Sequence, residues 1–186
     1  MMLNIYILAG GKSIRMGEEK GLTLFHHKPL IQYVIETAEL LSKNIFICTA
    51  NQDFNQFNYP LVEDQIKGLG PAGAIDTILQ QTKAEYNLVL GCDMPFIDIQ
   101  SLQFLINQCT EAEITVPIYN HYPEALMAVY AKTCQNLWHD QVELGILKLS
   151  DLISHFKTNF VDGNKMSESN PSLFKNINSK EDLLNL

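Results

Sequence analysis

Positive charge is scarce in this chain. Its 13 Lys and Arg stand against 21 Asp and Glu, a formal net charge of -8. Broad binding to nucleic acid or to an anionic membrane needs a basic face, so both are disfavoured. Cysteine is also sparse. Cys48, Cys92, Cys109 and Cys134 include no C-x-x-C pair, which removes the common metal and redox motifs. No apolar run is long enough to span a bilayer. Asn4 breaks the first apolar stretch and no basic segment precedes it, so no signal peptide is expected and a reduced, cytoplasmic setting is. The N-terminal glycine loop is spaced neither as G-x-x-x-x-G-K-[ST] nor as G-x-G-x-x-G, which disfavours a P-loop ATPase and a dinucleotide-binding Rossmann loop there. The five histidines make no H-E-x-x-H spacing, and His26-His27 reads as a solvated turn before Pro29. Repeats, low-complexity tracts and linkers are missing too.

What remains is globular. The chain has 186 residues, 46% hydrophobic and 18% charged, which fits one domain over residues 1–186 with a substantial core. Short apolar runs read as buried strands at Leu3–Leu8, Ile45–Thr49, Leu61–Val62, Tyr86–Leu90, Ile114–Pro117 and Leu126–Tyr130. Leu22–Phe25 is a short extended segment. Helical spacing follows Pro29 (Leu30, Ile31, Val34, Ala38, Leu41), with Pro29 in the first turn. Further helices are expected over Ala72–Gln81, after an Asp98 cap, and over Leu144–His155. Asn51–Tyr59 and Asn159–Pro171 read as loops. Ser179 to Asp182 reads as a capping box. Strands alternating with helices imply a mainly parallel sheet covered on both faces, with ligands beyond the carboxyl ends of its strands.

Three stretches at those strand ends carry chemistry. The first is Leu8-Ala9-Gly10-Gly11 with Lys12, Arg15 and Lys20 close behind. Glycines let a backbone approach an anion, and Lys and Arg neutralise it. Four of the 13 cations lie in the first 28 residues, so basic charge is concentrated there. The second is Asp93, directly after the strand Tyr86–Leu90. It serves either as a turn cap or as a Mg²⁺ ligand, because Mg²⁺ is usually held by one or two carboxylates with substrate phosphates. The third is Gly70-Pro71-Ala72-Gly73, either a plain helix start or a place for close approach to a nucleoside.

Together these motifs resemble the molybdenum cofactor guanylyltransferase family. The shared elements are Leu8-Ala9-Gly10-Gly11 with Arg15-Met16-Gly17 and Lys20, Lys28-Pro29-Leu30, Gly70-Pro71-Ala72-Gly73, Cys92-Asp93-Met94-Pro95, Pro123 to Tyr130, and Asn176-Ile177-Asn178 with Asp182-Leu183. They run in order along almost the whole chain. Ala74 stands where many members carry a further glycine, and Lys148 is the only cation of Leu144–Ser150.

The resemblance implies a three-layer α/β/α, Rossmann-like nucleotide-diphospho-sugar transferase fold. It also implies transfer of GMP from GTP to molybdopterin with release of pyrophosphate, Mg²⁺ as cofactor, and passing contact with proteins that deliver molybdopterin or receive the product. On it, Arg15, Lys20 and Asp93 are catalytic. Leu8, Ala9, Gly10, Gly11, Lys20, Asn51, Asp64, Gly70 and Asp93 bind the nucleotide. Asp93 and Asn178 hold the metal, with Asp182 a lesser candidate. The expected phosphate-facing donors are the main-chain N–H groups of Ala9 to Gly11. Two alternatives stay open: a related small cytidylyltransferase, against which Gly10 counts, and a non-catalytic nucleotide-binding protein.

Overall fold

Alternation along Leu3–Leu8 (β1) organises the molecule. Ile5 and Ile7 face one core layer, and Tyr6 and Leu8 face the other. The same split by residue parity recurs wherever a strand is covered on both faces. The structure is a computed structural model and describes residues 2–10, 19–179 and 182. After β1 come β2 (Leu24–Phe25), β3 (Lys28–Pro29), α1 (Leu30–Glu39), β4 (Ile45–Cys48), β5 (Leu61–Val62), α2 (Gly70–Gln81), β6 (Tyr86–Gly91) and α3 (Ile99–Asn107). The second half holds β7 (Ile114–Tyr119), β8 (Tyr122–Pro123), β9 (Met127–Ala131), α4 (Gln135–Glu143), α5 (Leu149–Ile153), β10 (Thr158–Asp162) and α6 (Gly163–Met166).

The main sheet runs β10-β7-β9-β6-β1-β4-β5, with β8 on β7. It is mostly parallel, and β9 runs antiparallel between β6 and β7. One layer packs α1 and α3 on the sheet through Ile31, Val34, Ile35, Leu102 and Leu105. The opposite layer packs α2, α4 and α5 through Ile75, Ile78, Trp138, Val142 and Leu152. This is a three-layer α/β/α arrangement. Trp138 ties α4 to α2 by donating its indole N–H to Ala72 O at 3.0 Å. Leu8 stands level with Cys48 and Gly91, and Cys48 with Val62, so four parallel strands end together at one rim of the sheet. No helix among the described residues is long and apolar enough to cross a membrane.

The structure departs from the sequence reading in four places. Helix α2 begins at Gly70, not Ala72, so Ala74 lies inside a helix and no turn there calls for a glycine. Pro29 caps α1 from outside its first turn. Of the predicted helix over Leu144–His155 only α5 (Leu149–Ile153) forms; α4, which the sequence reading did not name, precedes it and ends before Gly145, whose φ is +82°. α4 has few apolar residues, and its two buried anchors, Trp138 and Val142, gave a weak periodic signal. The predicted loop over Asn159–Pro171 contains β10, an edge strand whose one buried residue is Val161. An edge strand with a single buried side chain has no apolar run to announce it.

Two hairpins turn on paired left-handed residues, His26-His27 (φ 46° and 64°) and Asn120-His121 (φ 48° and 72°). Such two-residue turns favour glycine in the second position, because a side chain there strains the backbone. His27→Gly and His121→Gly are each expected to stabilise the fold by about 1 kcal/mol, a rise of roughly 3 °C in Tm. Calorimetric melting checks this, and an unchanged or lower Tm would remove the strain assigned to these turns.

Candidate active site

The rim where β1, β4, β5 and β6 end opens into a cleft of about 920 Å³. That volume lies within the range of small-molecule sites. Leu8, Ala9, Gly10, Lys20, Asn51, Asp64, Gly70, Asp93 and Asn178 all line it. Every site residue named from the sequence that lies in the described part of the chain, Asp182 excepted, is therefore found around one cavity. Gly11, Lys12 and Arg15 lie outside the described residues.

The floor of the cleft is built on Asp93. Chain leaving β6 must turn sharply there, and Gly91 makes room. A Cβ at Gly91 would lie 2.7 Å from Asp93 Oδ1. Asp93 Oδ2 accepts from the Lys20 ammonium, which also donates to Asn178 Oδ1. Both charged side chains are largely shielded, at 21% and 15% exposure. The C-terminal segment reaches this point because Ile177 is fully buried with Phe25 and Leu30, and because its N–H donates to Asp93 O at 3.0 Å.

Asp182 is not a ligand in this arrangement. Its carboxylate accepts from the N–H groups of Asn178 and Ser179, both at 2.8 Å, and Ser179 Oγ accepts from Asp182 N at 3.2 Å. The hydrogen bond from Asn178 is the main cause that holds the Asp182 carboxyl below its ordinary range. The capping box read from the sequence is present, and it orients Asn178. Hydrogen bonds settle two further expectations. The Ala9 N–H already donates to Cys48 O at 3.0 Å, so it is not one of the expected phosphate donors. Asn51 Oδ1 accepts from Asp53 N at 2.9 Å, so what Asn51 offers the cleft is its side-chain N–H₂.

The electrostatics are graded. Burial, then the charge of Glu63, raises the Asp64 carboxyl above its ordinary value. Burial, then Asp93, does the same to Glu124. Burial keeps the thiol of Cys92 protonated well beyond neutral pH. Among the described residues of the cleft, Lys20 places a shielded cation against this acidic wall.

Among the described residues no three His, Cys, Asp or Glu side chains converge on a metal position. Asp93 and Asn178 nevertheless direct two oxygens at one cation, the ammonium of Lys20. One carboxylate and one amide oxygen form a hard donor pair, which suits Mg²⁺ completed by phosphate and water and does not suit zinc or copper. The residues present fit that ion.

Sequence reading passed over several lining residues, chief among them Glu63, Lys67, Glu19 and Leu126. Lys67 had a signal, since it stands directly before Gly68 and Gly70, just ahead of the Gly70-Pro71-Ala72-Gly73 stretch. Leu126 had none, because its position follows from β9 running beside β6.

A family model for the MobA-like NTP transferase domain matches residues 5–153. A Flavobacterium johnsoniae protein named "Probable molybdenum cofactor guanylyltransferase" is 35% identical over 185 residues, which cover 99% of this chain and 96% of the relative. A molybdenum cofactor guanylyltransferase from Syntrophotalea carbinolica is 28% identical over 95% of this chain and 86% of its own. The crystal structure of molybdopterin-guanine dinucleotide biosynthesis protein A from Archaeoglobus fulgidus superposes with a TM-score of 0.82 at 22% identity, covering 98% of this chain and 95% of that one. With strand ends, cleft and full-length similarity in agreement, this chain belongs to the MobA-like NTP transferase domain family.

Proposed function

We propose that this chain, folded as one domain, transfers GMP from GTP to the phosphate of molybdopterin, releasing pyrophosphate and forming the guanine dinucleotide of the cofactor. The observation that carries this reading is the convergence of Lys20, Asp93 and Asn178 in a cleft at the parallel strand ends. Full-length relatives with that name support the substrates.

Each residue has a physical task in such a reaction. Lys20, with Arg15 beside it in sequence, neutralises the triphosphate and the departing pyrophosphate. For this Lys20 must exchange Asp93 for a phosphate oxygen, which its partly open position allows. Gly10, and Gly11 after it, supply main-chain donors to the phosphates. Asp93 and Asn178 hold Mg²⁺. When bound, the ion offsets the charge of two approaching phosphates. Asn51, Asp64 and Gly70 face the nucleoside. The attacking phosphate is already ionised, so neither a general base nor a covalent intermediate is required. Four unpaired cysteines, three of them buried, agree with a reducing cytoplasmic setting.

Pyrophosphate release with GTP, Mg²⁺ and molybdopterin tests the reading, with CTP as the contrast. Turnover with CTP alone would replace the guanylyl assignment. Asp93→Asn is expected to lower turnover by about a hundredfold or more while the protein still melts cooperatively, and wild-type turnover would remove Asp93 from the site. Lys20→Ala is expected to raise the KM for GTP and lower kcat together, each by about tenfold. An unchanged rate at low GTP would count against its phosphate role.

A further inference from the structure

The sequence leaves the choice of guanine over cytosine on Gly10 alone. A Cβ on Gly10 would make only an ordinary contact, 3.6 Å from Cys48 O. The opposite end of the cleft is better equipped to read a base.

Across the sheet the order is β6, β1, β4, β5. Asp93 follows β6 and Lys20 is bound to it, so the phosphates belong at that side. Three strand spacings, about 14 Å, separate this point from the chain leaving β5. That distance leaves room for a ribose and a base. Asp64 is half-buried there and lines the cleft. The outermost wall is the exposed part of the loop from Glu63 to Gly70.

That loop carries an ion pair. Lys67 Nζ lies 3.2 Å from Glu63 Oε1, with the side chains 82% and 55% exposed. An open pair of this kind adds little to stability, so its charges remain available to a ligand. The loop beneath it is fixed. Gln65 N donates to Thr77 Oγ1 at 3.0 Å, Thr77 is buried on α2, and Gly68 and Gly70 take φ values of +87° and +60°. Of the described residues lining the cleft, Lys20 and Lys67 are the two cations, and they mark its opposite ends.

Guanine presents an acceptor, O6, beside two donors, N1–H and the 2-amino group. An ammonium and a carboxylate on one loop match that pattern. Cytosine presents its 4-amino donor beside the acceptors N3 and O2, so an amine would meet an ammonium and two lone pairs would meet a carboxylate. A site built to hydrogen-bond one pattern rejects the other because its own groups are left unpaired. We propose that Glu63 and Lys67 determine base specificity, Lys67 donating to guanine O6 and Glu63 accepting from N1–H and the 2-amino group. This rests on the reading of the cleft as a GTP site.

Calorimetric titration of the Mg²⁺ complexes of GTP, ITP and CTP tests it, because ITP keeps O6 and N1–H but lacks the 2-amino group. Wild type is expected to bind GTP best, ITP next and CTP least. Lys67→Ala should weaken GTP and ITP alike by roughly tenfold or more, leave CTP unchanged, and be rescued by Lys67→Arg. Glu63→Ala should bring GTP and ITP to nearly equal affinity. Both residues are exposed, and melting curves check that the variants fold. If wild type binds GTP and both alanine variants keep its GTP:ITP:CTP ratios, the assignment of Glu63 and Lys67 is overturned while the GTP site stands. If wild type prefers CTP or binds none of the three, the GTP reading falls and this assignment falls with it.

Discussion

The ammonium of Lys20 is the point at which distant parts of the chain meet. Asp93 is 73 residues away in sequence and Asn178 is 158, and both place an oxygen on it. A largely shielded carboxylate needs a counter-charge, and in the protein alone Lys20 provides it to Asp93. The contact therefore does two things. It neutralises Asp93 and it holds the C-terminal segment against the end of β6. That segment is a structural part of the site: Ile177 is buried behind it, and the capping box of Ser179 and Asp182 fixes the direction of Asn178. A site closed by a cation of the protein's own is arranged to exchange that cation for a divalent ion and a row of phosphates without losing its shape.

The fold's contribution is alignment. Parallel strands β1, β4, β5 and β6 end level with one another, so four successive turns deliver Gly10, Asn51, Asp64 and Asp93 to one rim. The helix layers that cover the sheet leave that rim open. Gly91 is a quiet requirement of the arrangement, because a side chain there would push the Asp93 carboxylate out of position. The cleft is graded from a cation-bound carboxylate at β6 to a water-exposed ion pair beyond β5. The gradient suits a ligand that is polyanionic at one end and neutral, with a patterned hydrogen-bonding edge, at the other.

Much of this was legible in the sequence, for identifiable reasons. β1 and β6 are short runs, apolar but for Asn4 and Asn87, that lead into Gly-Gly and Cys-Asp, so both strand and site announce themselves. α4 and β10 did not, because each is held by one or two buried side chains among polar neighbours, a pattern no period detects. Ala9 shows a different limit. Its place in the loop was evident, but only the β1–β4 register reveals that its N–H is already bonded to Cys48. Asp182 and Asn178 were both candidate ligands on composition, and geometry separates them into an orienting group and a donor. Lys67 was visible as a cation in a glycine-rich loop, but its distance from Lys20 across the cleft is what gives it meaning.

Exchange of the Lys20 cation is the step on which the assignment depends. A crystal structure with a non-hydrolysable GTP analogue and Mg²⁺ observes it directly. The expected result has Lys20 Nζ moved from Asp93 to a phosphate oxygen, the metal held by Asp93 and Asn178, and the base against the Glu63–Gly70 loop. Lys20 still bound to Asp93 with the nucleotide seated in the cleft, or a nucleotide bound away from these strand ends, would contradict it.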